Sequence, residues 1–126
     1  MNLLLIFLLF QFKHLIADFF LQIPYHYTNK GTYGHPGGIQ HAFIHACWSM
    51  LVMCFWLPPI PLVLIAVGEM IIHYHIDWAK VQLTKKMKWS DLKAGHLEIY
   101  SNNYFHALGI DQLLHQLTYI GMIALM

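Results

Sequence analysis

Four long apolar stretches constrain this chain more than any other feature of its sequence. Each has about the twenty residues that an α-helix needs to cross a bilayer. Hydrocarbon offers an open backbone no hydrogen bonds, so such stretches form helices rather than isolated strands. The sequence therefore predicts an all-α integral membrane protein, with residues 1–126 forming one bundle of four transmembrane helices. The expected spans cover about residues 2–23, 39–57, 61–82 and 103–126.

The composition agrees with a membrane protein. Hydrophobic residues make up 58% of the chain and charged residues only 10%, against about 25% charged in a typical soluble domain. A net charge of +1 argues against a nucleic-acid partner, which would need a basic face. The N-terminal stretch lacks the positive region and the cleavage site of a signal peptide, so we expect it to be a retained helix. Membrane lipid is the expected partner, and a homo-oligomer remains open.

The lysines predict how the four spans are oriented. Four spans place the connections at 24–38 and 83–102 on one side, and both termini with the 57–61 turn on the other. Cytoplasmic connections are enriched in lysine and arginine. We therefore expect an inner-membrane protein with both termini on the non-cytoplasmic side. The lysines in or beside the two connections are Lys30, Lys80, Lys85, Lys86, Lys88 and Lys93, whereas Lys13 lies within the first span.

Each apolar stretch carries one pair of ionisable residues spaced four apart. Residues at this spacing lie on one face of a helix, about one turn from each other. At a rise of about 1.5 Å per residue, most of the eight lie roughly 3–18 Å inside the cytoplasmic boundary. The pairs can therefore converge, although single intramembrane histidines also serve as hydrogen-bonded packing residues. The pairs are His14 and Asp18, His41 and His45, His73 and Asp77, and Asp111 and His115.

Such a convergence indicates a metal centre. Eight ligands exceed the four of one tetrahedral zinc ion, so we expect a two-metal site. Zinc is the expected ion, with manganese or iron as alternatives. Asp77 or Asp111 could bridge the metals or act as a base. Glu69, one turn deeper, could be a ligand, a proton acceptor or a supporting residue. Lys13 and Lys80 could bind a phosphate, although such side chains also extend towards the interface without binding anything.

Four motifs in this order resemble a family of small bacterial and phage membrane proteins of unknown function. They are HLIADFFLQ, HAFIH, HYHIDWAK and GIDQLLH, and the resemblance covers essentially the whole chain. That family is loosely similar to membrane-bound metal-dependent hydrolases, which in turn look like helical zinc phospholipases C in their repeated His/Asp pairs. The resemblance implies the metal-site residues His14, Asp18, His45, His73, Asp77, Asp111 and His115.

Three functions remain open from the sequence. The first is a metal-dependent hydrolase of a lipid or phosphoester at the cytoplasmic leaflet, where metals activate water and clamp an oxygen. The second is a non-enzymatic membrane protein with a structural metal site, acting through partners or as an oligomer. The third is a metal or proton transporter, in which Glu69 would extend the ionisable path towards the middle of the bilayer.

Overall fold

The computed structural model describes residues 2–86, 92–94, 97–99 and 102–126, and these residues are helical apart from two short antiparallel strands. The prediction of a helical fold class is therefore confirmed. The predicted polar connection at 83–102 lies partly outside the described residues. The elements are α1 (Leu3–Leu15), a π-helical turn (Ile16–Phe20), α2 (Pro24–Asn29), α3 (Pro36–Met53), α4 (Pro59–Lys86), β1 (Leu92–Ala94), β2 (Leu97–Ile99) and α5 (Asn102–Ala124).

Prolines begin three of the five α-helices. Pro24, Pro36 and Pro59 are the first residues of α2, α3 and α4. Proline suits the first helical position because a backbone N–H there has no acceptor within the helix, so its absence costs nothing. The fixed φ of proline is also already helical. The His35 side chain caps α3 by accepting a hydrogen bond from the Gly37 N–H at 3.1 Å. The prolines that interrupt the apolar stretches in the sequence therefore also start the next helix.

The four long helices surround a common interior. α1 packs against α3 and α5, α4 packs against the same two helices, and α2 packs against α3. Towards the chain termini this interior is apolar, with Ile6, Phe10 and Met53 fully buried. The Phe10 ring stacks on Tyr119 with centroids 5.2 Å apart. The opposite half of the interior is polar and holds the paired histidines and aspartates.

The outward faces of the long helices are apolar. Leu4 on α1, Phe55 after α3, Leu64 on α4 and Leu113 on α5 are 56–77% exposed. Among the described residues, two helical segments are long and apolar enough to cross a membrane, residues 3–20 and Pro59–Lys86. The helices α3 and α5 do not meet the same measure. Two of the four predicted spans are thus supported by length and composition.

Candidate metal centre

Five histidine rings pack together in the polar half of the interior. The His73 ring lies 3.7 Å from His45 and 4.2 Å from His115, measured between centroids. His41 lies 4.8 Å from His45, and His14 lies 5.2 Å from His115. All five side chains are buried. Five imidazoles packed this closely bring several ring nitrogens to one place, and the neutral imidazole nitrogen is the most common metal ligand in proteins.

The first group of candidate ligands comprises Asp18, His41, His45 and His73. Their ligand atoms all lie within 4.8 Å of one another. The Asp18 Oδ1 atom is 3.0 Å from the Nε2 atoms of both His41 and His45. Two ligands that each lie about 2.0–2.4 Å from one ion can be up to about 4–5 Å apart. The π-helical turn, α3 and α4 therefore present four side chains at separations that suit one cation.

The second group comprises His73, Asp77 and His115, and it shares His73 with the first. The Asp77 carboxylate oxygens lie 3.6 Å from His73 Nε2 and 3.6 Å from His115 Nε2. Asp111 lies beside this group, with Oδ1 3.6 Å from His115 Nε2, but is not part of it. Three protein ligands with a further coordination position are typical of catalytic zinc, whereas four are typical of structural zinc.

Several polar atoms in this cluster are buried without a hydrogen-bond partner among the described residues. They include both ring nitrogens of His41 and of His73, together with His115 Nε2 and Asp111 Oδ1. His41 Nε2 is 3.0 Å from Asp18, but it lacks the alignment of a hydrogen bond. An unsatisfied buried polar group costs about 1–3 kcal/mol. A cation bound among these residues would satisfy the acceptor nitrogen of each imidazole, so the residues fit a metal.

His14 makes a different set of contacts. Its Nε2 atom lies 2.9 Å from Gln112 Oε1 and 3.0 Å from Asp18 Oδ2, and its Nδ1 atom lies 2.8 Å from the Tyr119 hydroxyl. An amide oxygen only accepts, so this geometry puts the His14 proton on Nε2, and the Tyr119 hydroxyl donates to Nδ1. In this arrangement His14 holds Asp18. Its role as a metal ligand stays a prediction.

Lys13 and Glu69 form a buried ion pair one turn deeper than the histidines. Each residue is only 2% exposed. The Lys13 ammonium also lies 3.2 Å from the Tyr119 hydroxyl and 4.6 Å from the centre of its ring. Glu69 belongs to neither ligand group. The predicted roles of Lys13 in substrate binding and of Glu69 in catalysis stay predictions, and here the two charges face each other.

Two further lysines reach the carboxylates. The Lys80 ammonium lies 3.3 Å from Asp111 Oδ2, and its predicted role in binding a phosphate stays a prediction. The Lys30 ammonium lies 3.3 Å from Asp77 Oδ2 and donates to Gln22 Oε1 at 3.1 Å. Burial lowers the pKa of Lys30, but the nearby carboxylates, Asp77 first, hold it above its usual value.

Sequence reasoning missed Lys30 and Tyr119. Lys30 lies between α2 and α3, and no spacing relates it to Asp77 on α4. Its signal was indirect, since its partner Gln22 continues the four-residue spacing of His14 and Asp18 in the sequence. Tyr119 follows His115 by four residues and therefore continues the Asp111–His115 face of α5. An extension of the paired pattern by one turn would have found it.

The connection between α2 and α3 covers this end of the cluster and positions Lys30. The Gly31 carbonyl accepts a hydrogen bond from Gln82 at 2.5 Å, and the Gly34 N–H donates to the Tyr74 hydroxyl at 2.6 Å. The Tyr33 ring packs edge-on against Trp78, with centroids 5.3 Å apart. The connection is thereby attached to α4, the helix that carries His73 and Asp77.

The comparison with protein families decides what this chain is related to. A family model described as "Protein of unknown function (DUF3307)" matches residues 4–126. The chain belongs to the DUF3307 family. No curated protein and no solved structure matches it. The expected resemblance to a family of unknown function is thus confirmed, and the function of this DUF3307 protein rests on its own geometry.

Proposed function

We propose that this DUF3307 protein crosses the inner membrane with its four long helices and uses a divalent-metal centre to hydrolyse a lipid or another phosphoester. The reaction would take place at the cytoplasmic leaflet, with both termini on the opposite side. Zinc is the ion that the proposal favours, with manganese or iron as alternatives, and two ions would bind per chain. The observation that carries the proposal is a three-residue ligand group next to Asp111, whose Oδ1 atom has no hydrogen-bond partner among the described residues.

The distribution of polarity supports the membrane part of the proposal. Large apolar side chains are exposed on the outward faces, whereas the buried residues include Lys13, His41, Glu69 and Asp77. Contiguous exposed apolar surface on a soluble monomer is costly and rare. Placing these faces in lipid removes that cost, and the ionisable residues then face the interior of the bundle, as intramembrane charges do.

The two ligand groups support a two-metal centre. Asp18, His41 and His45 would hold one ion, and Asp77 and His115 would hold the second. His73 would complete one of these two sets, because a neutral imidazole offers one acceptor nitrogen. With His73, the first set has the four ligands of a closed site. A metal of this kind supplies a Lewis acid and a nucleophilic water at neutral pH.

Asp111 is the residue that this proposal places at the reacting group. Its Oδ1 atom has no hydrogen-bond partner among the described residues, and its Oδ2 atom is 3.3 Å from the Lys80 ammonium. A carboxylate with one free oxygen can accept the proton of an attacking water. Lys80 holds that carboxylate and adds positive charge for a phosphoryl oxygen.

A structural metal site is the second candidate, because the first ligand group is complete with four residues. Transport is supported less well. Lys13 neutralises Glu69, the residue that a path would need as its next step. Beyond this pair the described interior is apolar, with Phe10 and Met53 fully buried.

Elemental analysis of detergent-purified protein tests the metal centre. We expect about two transition-metal ions per chain, and His73→Ala should lose at least one, because His73 completes one of the two ligand groups. His75→Ala is the matched control. The His75 ring is exposed, and its Nδ1 atom is hydrogen-bonded to the Ile71 carbonyl at 2.7 Å. It belongs to neither ligand group, so this variant should keep the wild-type metal content. Absence of metal in reconstituted wild-type protein would overturn the proposal.

A turnover assay then separates hydrolysis from a structural role. Metal-loaded protein is incubated with phospholipid vesicles and with soluble phosphoesters. Asp111→Asn should keep its metal but lose at least about 100-fold in rate, the low end of what a positioned general base contributes. Wild-type protein that carries metal and leaves every substrate intact would favour the structural candidate, especially if chelation unfolds it.

A further inference from the structure

A groove between α4 and α5 runs along the outer surface beside the metal centre. Its volume is about 480 Å³. The lining residues of α4 extend from Ile71 to Leu83, a length of about 18 Å at the helical rise. Ile71, Leu83 and Ile110 are each more than half exposed, so the groove opens outwards. The small residues Ala79 and Ala107 leave its floor unfilled.

The groove reaches the metal centre from the side through one residue. Asp111 lines the groove, and its Oδ1 atom is 3.6 Å from His115 Nε2 in the second ligand group. Lys80 also lines the groove, and its ammonium is 3.3 Å from the other Asp111 oxygen. The groove is therefore largely apolar, with His75 in its wall and with Lys80 and Asp111 where it meets the centre.

Two other surface cavities lack this connection. One, between α1 and α3, has a volume of about 270 Å³ and reaches Lys13. The other lies lower between α4 and α5, has a volume of about 550 Å³ and reaches Glu69. Among the described residues, the lining of neither cavity includes Asp111 or a member of the ligand groups. Of these three cavities in the described part of the chain, the upper groove between α4 and α5 is the one that reaches the centre from the side.

We propose that this groove binds one acyl chain of an anionic membrane phospholipid, with the lipid phosphate on Lys80 and its ester linkages beside Asp111. This inference rests on the proposed function and names its substrate class. The apolar walls match a hydrocarbon chain, whereas free phosphate would gain nothing from them. The Lys80 ammonium lies 3.3 Å from Asp111 Oδ2. It has three N–H donors, so it can hold that carboxylate and still donate to a lipid phosphate.

The site is tested by photocrosslinking. The protein is reconstituted in phosphatidylcholine bilayers with a trace of phosphatidic acid that carries a photoreactive group on one acyl chain. Mass spectrometry locates the label after illumination. Labelling should concentrate on residues 71–83 and 107–114. Its yield there should be at least threefold higher than the yield with an equivalent phosphatidylcholine probe. Even labelling of all outward faces would overturn the proposal.

Matched variants separate the groove from general lipid contact. Ala79→Phe should fill the groove and lower labelling there at least fivefold. Gly121→Phe is the control and should leave labelling of the groove unchanged. Gly121 lines the lower cavity, and a Cβ atom added there meets no atom within 4 Å. Ala107→Leu repeats the test should Ala79→Phe misfold, as judged by circular dichroism. Unchanged labelling in a folded groove-filling variant would contradict the proposal.

The headgroup is tested at Lys80. Lys80→Met should abolish the preference for phosphatidic acid, and Lys86→Met, an exposed lysine on the same helix, should retain it. Millimolar inorganic phosphate should not compete. The assignment would be overturned if inorganic phosphate removed the preference for phosphatidic acid, or if Lys80→Met kept that preference. The assay needs no turnover, so an inactive protein that still shows selective labelling would reject the hydrolase and leave the lipid site standing.

Discussion

At the scale of single residues, a chain of contacts links the buried charge pair to the metal centre. Lys13 pairs with Glu69 and donates to the Tyr119 hydroxyl at 3.2 Å. Tyr119 donates to His14 at 2.8 Å, and His14 lies 3.0 Å from Asp18. Each donor has an acceptor, so the charge pair helps to orient a candidate ligand one turn away. Partners of this kind tune metal affinity.

Removing either charge of the Lys13–Glu69 pair should strongly destabilise the protein. We expect Glu69→Gln and Lys13→Met each to lower the free energy of unfolding by about 3–5 kcal/mol, because each leaves a buried partner uncompensated. The double variant should lose clearly less stability than the two single variants lose together. Unfolding in mixed detergent micelles measures all three, with the exposed Lys86→Met as control, and strictly additive losses would show that the two residues act independently.

At the scale of elements, two local features position the site. The π-helical turn carries Asp18, and the Leu21 N–H closes it on the Ile16 carbonyl at 3.0 Å. Such wide turns occur frequently at functional sites. The connection between α2 and α3 then folds back, so that Lys30 reaches Asp77 on α4. The spacing of residues reveals neither feature.

The junction of α2 and α3 has no room for a side chain at Gly37. A Cβ atom there would lie 2.6 Å from the Tyr25 carbonyl oxygen, whereas one at Gly68 on α4 would meet nothing within 4 Å. We expect Gly37→Ala to destabilise the protein by about 1–3 kcal/mol through overpacking and to weaken metal binding, because α3 carries His41 and His45.

Gly68→Ala is the control for this change. It should be neutral or stabilising by up to about 1 kcal/mol, the difference in helix propensity between the two residues. Thermal unfolding and metal content in detergent measure both variants. Equal melting temperatures for Gly37→Ala and the wild type would show that the junction can adjust.

At the scale of the whole molecule, polarity is reversed relative to a soluble protein. The interior half that contains the histidines is polar, and the outward faces are apolar. Lipid on the outside and metal on the inside would resolve both features. If the four long helices cross a membrane, as we propose, the connections at their two ends lie on opposite sides of it.

Cysteine labelling tests this topology. Cys47 and Cys54 are both free and exposed, so they are first changed to serine. Thr28→Cys should then react with an impermeant maleimide only in inverted membrane vesicles. Ile60→Cys should react only from the opposite side, because α3 lies between the two positions. Labelling of both positions from one side would show that α3 does not cross the membrane.

Local sequence patterns were sufficient to predict the helices and the faces that carry the candidate ligands. Long apolar stretches form helices, and a four-residue spacing places two side chains on one face whatever surrounds the helix. Asp18, His41, His45, His73, Asp77 and His115 were predicted from this local geometry, and the structure brings them together. Local geometry does not specify how each helix rotates and tilts against its neighbours.

The tertiary structure decided which ligand atoms meet. Packing turns His14 towards Tyr119 and Gln112, places Asp111 at the edge of the cluster beside Lys80, and brings Lys30 onto Asp77. These contacts join residues far apart in the chain, and they depend on helix orientation and on the path of the α2–α3 connection. That is why the sequence could predict a metal-binding interior but not its two ligand groups, its supporting residues or the groove that reaches it.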